Sequence, residues 1–194
     1  MSGSYCYLDE HDAAVLAAVV DRLVPPFGAH PGARALGAVD YIDGALGAFA
    51  TDPPRIWAGG PFSGRHGGEA SFHRFTPLTR LETLAWRTRI EGSRGDPQRE
   101  WNGPVRGWQE IYRDGIDALD GDPAFATCTP ADQDVRLAAA PRDFRELVYV
   151  HICEACYGPP EYGGNRDLQG WTAIEFPGDV QPRGWTDEEV SGRA

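Results

Sequence analysis

Apolar residues recur at every third or fourth position along six stretches of this chain, and no run of four to eight residues alternates in the β-branched pattern of a strand. That periodicity restricts the fold to helices packed on helices, an all-α single domain of about six helices. Proline and glycine mark the boundaries. Asp9 caps a first helix carrying Val15, Leu16, Val19, Val20 and Leu23, and Pro25-Pro26 stops it. A second helix spans about Ala33 to Phe49, with Leu36, Val39, Ile42, Leu46 and Phe49 at helical spacing. Thr76 as cap and Pro77 at the first helical position open a third, followed by Leu78, Leu81, Leu84 and Ala85. Val105, Trp108, Ile111, Tyr112, Ile116 and Leu119 form one stripe of a fourth, which Gly121-Asp122-Pro123 ends. Thr129-Pro130 opens a short fifth helix with Val135 and Leu137, and Pro141 opens a sixth that runs to about Cys156.

The sixth helix is apolar on two sides. Phe144, Leu147, Val148, His151 and Ala155 make one stripe; Tyr149, Cys153 and Cys156 lie opposite, with Val150 nearby. Such a helix is covered on both sides. The domain's own core covers one, and either neighbouring helices or a second protein covers the other.

Two segments lack any period. Residues 51–71 contain Asp52-Pro53-Pro54 and then Trp57-Ala58-Gly59-Gly60-Pro61-Phe62-Ser63-Gly64-Arg65-His66-Gly67-Gly68. A loop of this length is either functional or disordered, and its Trp, Ile and Phe favour the first. Residues 92–103 form a further loop. From Gly158 onward the chain reads as irregular, with Tyr162-Gly163-Gly164-Asn165-Arg166-Asp167, Gly170-Trp171 and Phe176-Pro177-Gly178 before a polar, extended tail at about 180–194. A loop so rich in Gly, Asn, Arg and aromatics is shaped to be held against something.

The 194 residues are 41% apolar with six Trp, enough for one domain, 1–194, with its own core or a large contact surface. A formal net charge of −11, with Asp187, Glu188 and Glu189 in the tail, argues against nucleic-acid or anionic-membrane partners. Every basic side chain is Arg, which excludes Schiff-base and P-loop lysine chemistry. No run approaches the roughly 20 apolar residues that span a bilayer. The first residues, Met1 to Tyr7, carry no basic region, twin-arginine pair or apolar signal core, so the sequence reads as cytoplasmic.

Candidate chemistry is sparse. His151, Cys153 and Cys156 invite a metal or redox reading, since residues three apart share a helical face. Structural zinc requires four ligands, however, and Cys6, Cys128, His66 and His73 are isolated. A redox Cys pair belongs at a helix N-terminus, and this one lies at the C-terminal end. Buried apolar Cys is the simpler reading, with a crosslink from Cys153 or Cys156 to a partner as the sharper one. Gly92-Ser93-Arg94-Gly95 lacks the nucleophile-elbow spacing, residues 59–68 lack the phosphate-loop Lys, and no dinucleotide fingerprint is present.

The C-terminal block resembles the gluconate 2-dehydrogenase subunit 3 family. Phe144, Leu147, His151, Glu154, Tyr157-Gly158, Glu161 to Asp167, Gly170-Trp171 and Phe176-Pro177-Gly178 carry the resemblance. Asp21-Arg22-Leu23-Val24-Pro25, Pro31-Gly32-Ala33, Val39 to Asp43, Tyr112-Arg113, Gly115-Ile116, Ala118-Leu119-Asp120 and Phe125 extend it over most of the chain. The resemblance implies a small, helical, non-catalytic subunit with no cofactor of its own. It also implies a large FAD-dependent partner of the glucose-methanol-choline oxidoreductase class, acting on alcohols or sugars, which the small subunit helps to fold, stabilise or mature. In exported systems such a subunit often carries a twin-arginine leader, which is lacking here.

On this reading the partner-facing residues are Tyr149, Cys153, Cys156, Tyr162, Asn165, Arg166, Trp171 and Phe176, with Trp57, Phe62 and Arg65 from the long loop. Arg166 and Trp171 are the natural anchors, whereas Gly163, Gly164 and Asn165 serve equally well as loop-shaping residues. Two alternatives stand beside it. The loop 57–68 reaches the partner's substrate entrance, or the chain is a stand-alone metal or redox protein built on His151, Cys153 and Cys156.

Overall fold

The structure is a computed structural model that describes residues 5–58 and 76–177. Within them the chain forms α1 (Glu10–Leu23), α2 (Ala38–Leu46), α3 (Arg80–Glu91), α4 (Trp108–Leu119), α5 (Pro130–Ala139), α6 (Arg142–Tyr157) and the short α7 (Gln169–Ala173). Among the described residues no strand is present, only isolated bridges such as that between Phe27 and His30. The all-α expectation holds.

The helix starts follow from capping. Asp9 accepts from the Asp12 amide, and Thr129 from the Asp132 amide, as the sequence suggested. The third helix starts later than Thr76-Pro77. Thr79 and Glu82 form a reciprocal capping box that satisfies two amides, which Pro77 has no means to do. The second helix also starts late. Gly37 adopts a left-handed φ of 87° that breaks the helix, and a side chain there would come within 2.8 Å of the Arg166 Nε. Val105 falls outside α4, and Val135 faces solvent rather than the core.

α6 lies at the centre, packed against α2 and α4, while α1 closes the other side against α2, α4 and α5. Leu16, Val19, Val20, Leu36, Ile42, Leu46, Leu119, Phe125, Phe144, Val148 and Ile152 are fully enclosed. The edge of Phe144 meets Tyr112 at 5.7 Å between ring centroids, a geometry suited to the ring quadrupoles. At the surface, Arg22 grips Asp134 with two 2.7 Å bonds, joining α1 to α5. Arg106 bonds Asp114 and Asp143, joining α4 to α6.

Two polar devices fix the chain ends. At the N-terminal end Asp43 of α2 is buried and accepts from the amides of Cys6, Tyr7 and Leu8 at 2.8, 2.9 and 2.9 Å. Burial raises its carboxyl pKa, but the amides of Cys6, Leu8 and Tyr7 and the Cys6 thiol outweigh that and hold it below the usual range.

At the C-terminal end the segment after α6 turns back and caps that helix. The Asn165 amide donates to Ala155 O at 2.6 Å, its Nδ2 to Gly158 O at 3.1 Å, and the Trp171 indole to Tyr157 O at 2.6 Å. Asn165 Oδ1 in turn accepts from the Gly170 amide at 3.0 Å. A Cβ on Gly170 would lie 1.9 Å from Cys156 O, so only glycine permits the approach. Asn165, Asp167 and Leu168 have left-handed φ values of 45°, 54° and 58°, strain that these bonds must offset. The irregular segment expected after Gly158 therefore contains two 3-10 turns and α7, elements too short to leave a readable period.

Two outcomes follow. Asp43→Ala should lower unfolding free energy by about 3 kcal/mol, because it strands buried amides that now bond to a charge. Wild-type stability should also fall in acid. The depressed folded pKa gives a contribution fully present above the unfolded value of about 3.9 and lost as pH drops through the folded one. Urea titrations at several pH values measure both. Gly170→Ala should cost about 1–3 kcal/mol, as overpacking does, and should unfasten the segment first, read by amide exchange at Asn165 and Trp171.

Candidate functional site

α2, α3, α4 and α6 leave a cavity of about 310 Å³ between them. Its wall combines Tyr41, Trp57, Trp86, Trp108 and Tyr162 with Leu147 and Val150, and its polar groups are Arg55, Arg89, His151 and Glu154. Helical spacing brings these together. Trp86 and Arg89 lie three apart on α3, so the guanidinium covers the Trp86 indole at 5.4 Å and the facing Trp108 indole at 5.1 Å. Trp86 and Trp108 meet edge to face at 6.1 Å. His151 and Glu154 lie three apart on α6, and Glu154 accepts from the Tyr41 hydroxyl at 2.9 Å. Burial and then Glu154 push the Tyr41 phenol well above its ordinary pKa.

His151 occupies the boundary between core and cavity. It is 1% exposed, stacks on Tyr112 at 5.7 Å with planes 10° apart, and meets Trp108 edge-on at 4.6 Å. Its Nδ1 lies 2.9 Å from the Tyr112 hydroxyl. Tyr112 is buried and that nitrogen is the hydroxyl's one hydrogen-bond partner, so the phenol donates and Nδ1 accepts, which places the imidazole proton on Nε2. Burial, with Arg89 adding to it, pulls the imidazole down to about 4, so the ring is neutral at physiological pH.

The structure sorts the sequence-derived site residues into three groups. Trp57 and Tyr162 come together, 6.0 Å apart on the cavity wall. Tyr149, Cys153 and Phe176 are accessible, and Tyr149 and Val150 are each about half exposed on the outward side of α6. Cys156, Asn165 and Trp171, in contrast, are turned into the chain's own packing, which corrects their assignment to a partner-facing surface. Cys156 belongs to the inner stripe of α6, where burial pushes its thiol up to about 12. Asn165 and Trp171 are consumed in capping α6. Arg166 is half exposed but engaged, bonded to Asp40 at the start of α2. Phe62 and Arg65 lie outside the described residues, as does most of the loop 57–68.

All four cysteines are free thiols, and among the described residues no three His, Cys, Asp or Glu side chains converge as a metal-ligand set. His151, Cys153 and Cys156 do not form one, because the histidine faces Tyr112 and the cavity while Cys156 faces the core. The cavity's Trp86, Arg89 and Trp108 were not singled out as site residues from sequence. The Trp86-x-x-Arg89 spacing, which puts the two on one face of α3, is the signal that could have found them.

The neutral imidazole makes stability pH-dependent. Well above the ordinary value of 6.5, both folded and unfolded His151 are neutral. Below it the unfolded chain takes up a proton that the folded chain refuses, so stability should fall by about 3 kcal/mol between pH 6.5 and 4. Thermal melts across that window measure the slope, and His151→Gln should flatten it.

No curated protein and no solved structure matches the chain. A family model described as gluconate 2-dehydrogenase subunit 3 matches residues 10–178. The match runs from the first turn of α1 to just past Phe176, taking in the cavity, the outward side of α6 and the cap that closes it, and the chain belongs to the gluconate 2-dehydrogenase subunit 3 family.

Proposed function

We propose that this chain is a non-catalytic accessory subunit that docks on a large FAD-dependent oxidoreductase of the glucose-methanol-choline class and stabilises or matures it. Family membership makes it one subunit of a complex. The observation that carries the docking reading is the outward side of α6. Tyr149 and Val150 are 52% and 50% exposed there, Tyr157 follows two turns later, and Ile174 and Phe176 stand 51% and 42% exposed on the segment that caps the helix. Large apolar side chains gathered on one rigid helix and its cap are costly to leave in water and suit an obligate interface, which often buries about 2,000 Å² or more. Tyr149, Cys153 and Phe176 are its contacts. Tyr162 borders the same region from the cavity side. FAD and the oxidation of alcohol or sugar belong to the partner, and this chain contributes surface.

Co-expression with the flavoprotein subunit tests this reading. A Tyr149→Asp, Ile174→Asp double variant changes exposed positions outside the cavity wall, so the chain alone should keep its helical circular dichroism and melting temperature. Its co-purification with the partner, and the flavin absorbance of the purified material, should fall at least tenfold, as loss of two central contacts implies. Full recovery of a yellow complex with the double variant would refute docking through this face.

A further inference from the structure

The cavity against α6 has features that neither the fold nor the docking surface requires. Among the described residues, the Nε of Arg99 is the one fully enclosed side-chain polar atom without a hydrogen bond, lying 3.5 Å from Asp96 in poor geometry. Among the described residues His151 Nε2 has no hydrogen-bond partner either, yet its ring is 1% exposed. It therefore still touches open space, and the cavity is the space that His151 lines. Its proton, fixed there by the Tyr112 bond, is an unused donor in an apolar setting.

The charges in the wall are equally specific. Some of the described arginines, such as Arg22, Arg106 and Arg166, pair with carboxylates. Arg55 and Arg89, which both line this cavity, have no carboxylate within ion-pair distance among the described residues. Arg89 instead rests on the Trp86 and Trp108 indoles, and His151 meets the same Trp108. Two guanidiniums without a carboxylate partner among the described residues and an imidazole N–H line one aromatic slot, with one carboxylate, Glu154, already holding Tyr41.

We propose that this cavity binds a small organic monoanion with a flat ring. Arg89 and the His151 Nε2–H hold its carboxylate, the Trp86 and Trp108 indoles cover its ring, and Glu154 accepts from a ring hydroxyl. The alternatives fit less well. A neutral apolar ligand would leave the Nε2–H unpaired and strip water from Arg89 with nothing in return. A cation would meet two guanidiniums. Inorganic phosphate would leave the indoles unused and bring charge towards Glu154. The volume lies at the small end of ligand sites and suits a single-ring compound. The site borders the docking face through Val150, but its test uses this chain alone and so does not depend on docking.

Calorimetric titration of the full chain with 4-hydroxybenzoate, with indole fluorescence read in parallel, tests the proposal. A single site with quenched fluorescence is expected. The uncharged 4-hydroxybenzamide should bind at least tenfold more weakly, since a charge-assisted bond is lost. Phosphate should not compete. Arg89→Gln should weaken 4-hydroxybenzoate binding about tenfold or more without shifting the melting temperature. Equal binding of the amide and the acid, undiminished binding to Arg89→Gln, competition by phosphate, or the absence of both heat and fluorescence change would each overturn it. The comparison of acid with amide needs no variant and decides the matter if Arg89→Gln misfolds.

Discussion

The carbonyls at the end of α6 organise this molecule. A helix leaves its last four carbonyls without intrahelical donors, and at this end Ala155 and Cys156 are buried while Glu154 and Tyr157 reach solvent. The chain supplies the donors itself by returning through Gly163 to Trp171. Asn165 reaches Ala155 and Gly158, and Trp171 reaches Tyr157. Three non-glycine residues in left-handed conformation are tolerated in this segment because its bonds leave the backbone no alternative. Arg166, bound to Asp40, ties the same segment to the start of α2. The C-terminal segment is thus tied to both α6 and α2.

With its end fixed, α6 presents different chemistry to different sides. One stripe, Phe144, Val148, Ile152 and Ala155, is core. A second side, Tyr149 and Val150, faces outward. Between them His151 and Glu154 look onto the aromatic cavity. A neutral imidazole is well suited to that border. Protonated, it would be unsupported beside Arg89, and replaced by an aliphatic residue it would leave the Tyr112 hydroxyl without an acceptor.

Sequence periodicity conveyed the helices well where side chains pack on one stripe, as in α1 and α4. It placed helix starts less well. Thr76-Pro77 and Thr79 with Glu82 both carry start signals, and which one wins depends on a reciprocal bond that exists only once the turn is formed. Gly37 gave no sign of ending a helix until Arg166, 129 positions later in sequence, was seen to fill the space beside it. The Gly, Asn and aromatic block was legible as a shaped segment. Its object was not, because carbonyls are the same in every residue and leave no mark in a sequence. Trp171 therefore read as a surface anchor, and Asn165 as either a contact or a loop-shaping residue, although both face inward. The cavity was hidden for a related reason, since its residues come from four helices and each looks ordinary on its own.

Trp171 touches both worlds. Its ring edge meets Phe176 at 5.0 Å, and its N–H holds the last carbonyl of the sixth helix. Phe176, 42% exposed, rests directly on the ring whose N–H caps the sixth helix, so a solvent-facing residue and the end of a largely buried helix are one side chain apart.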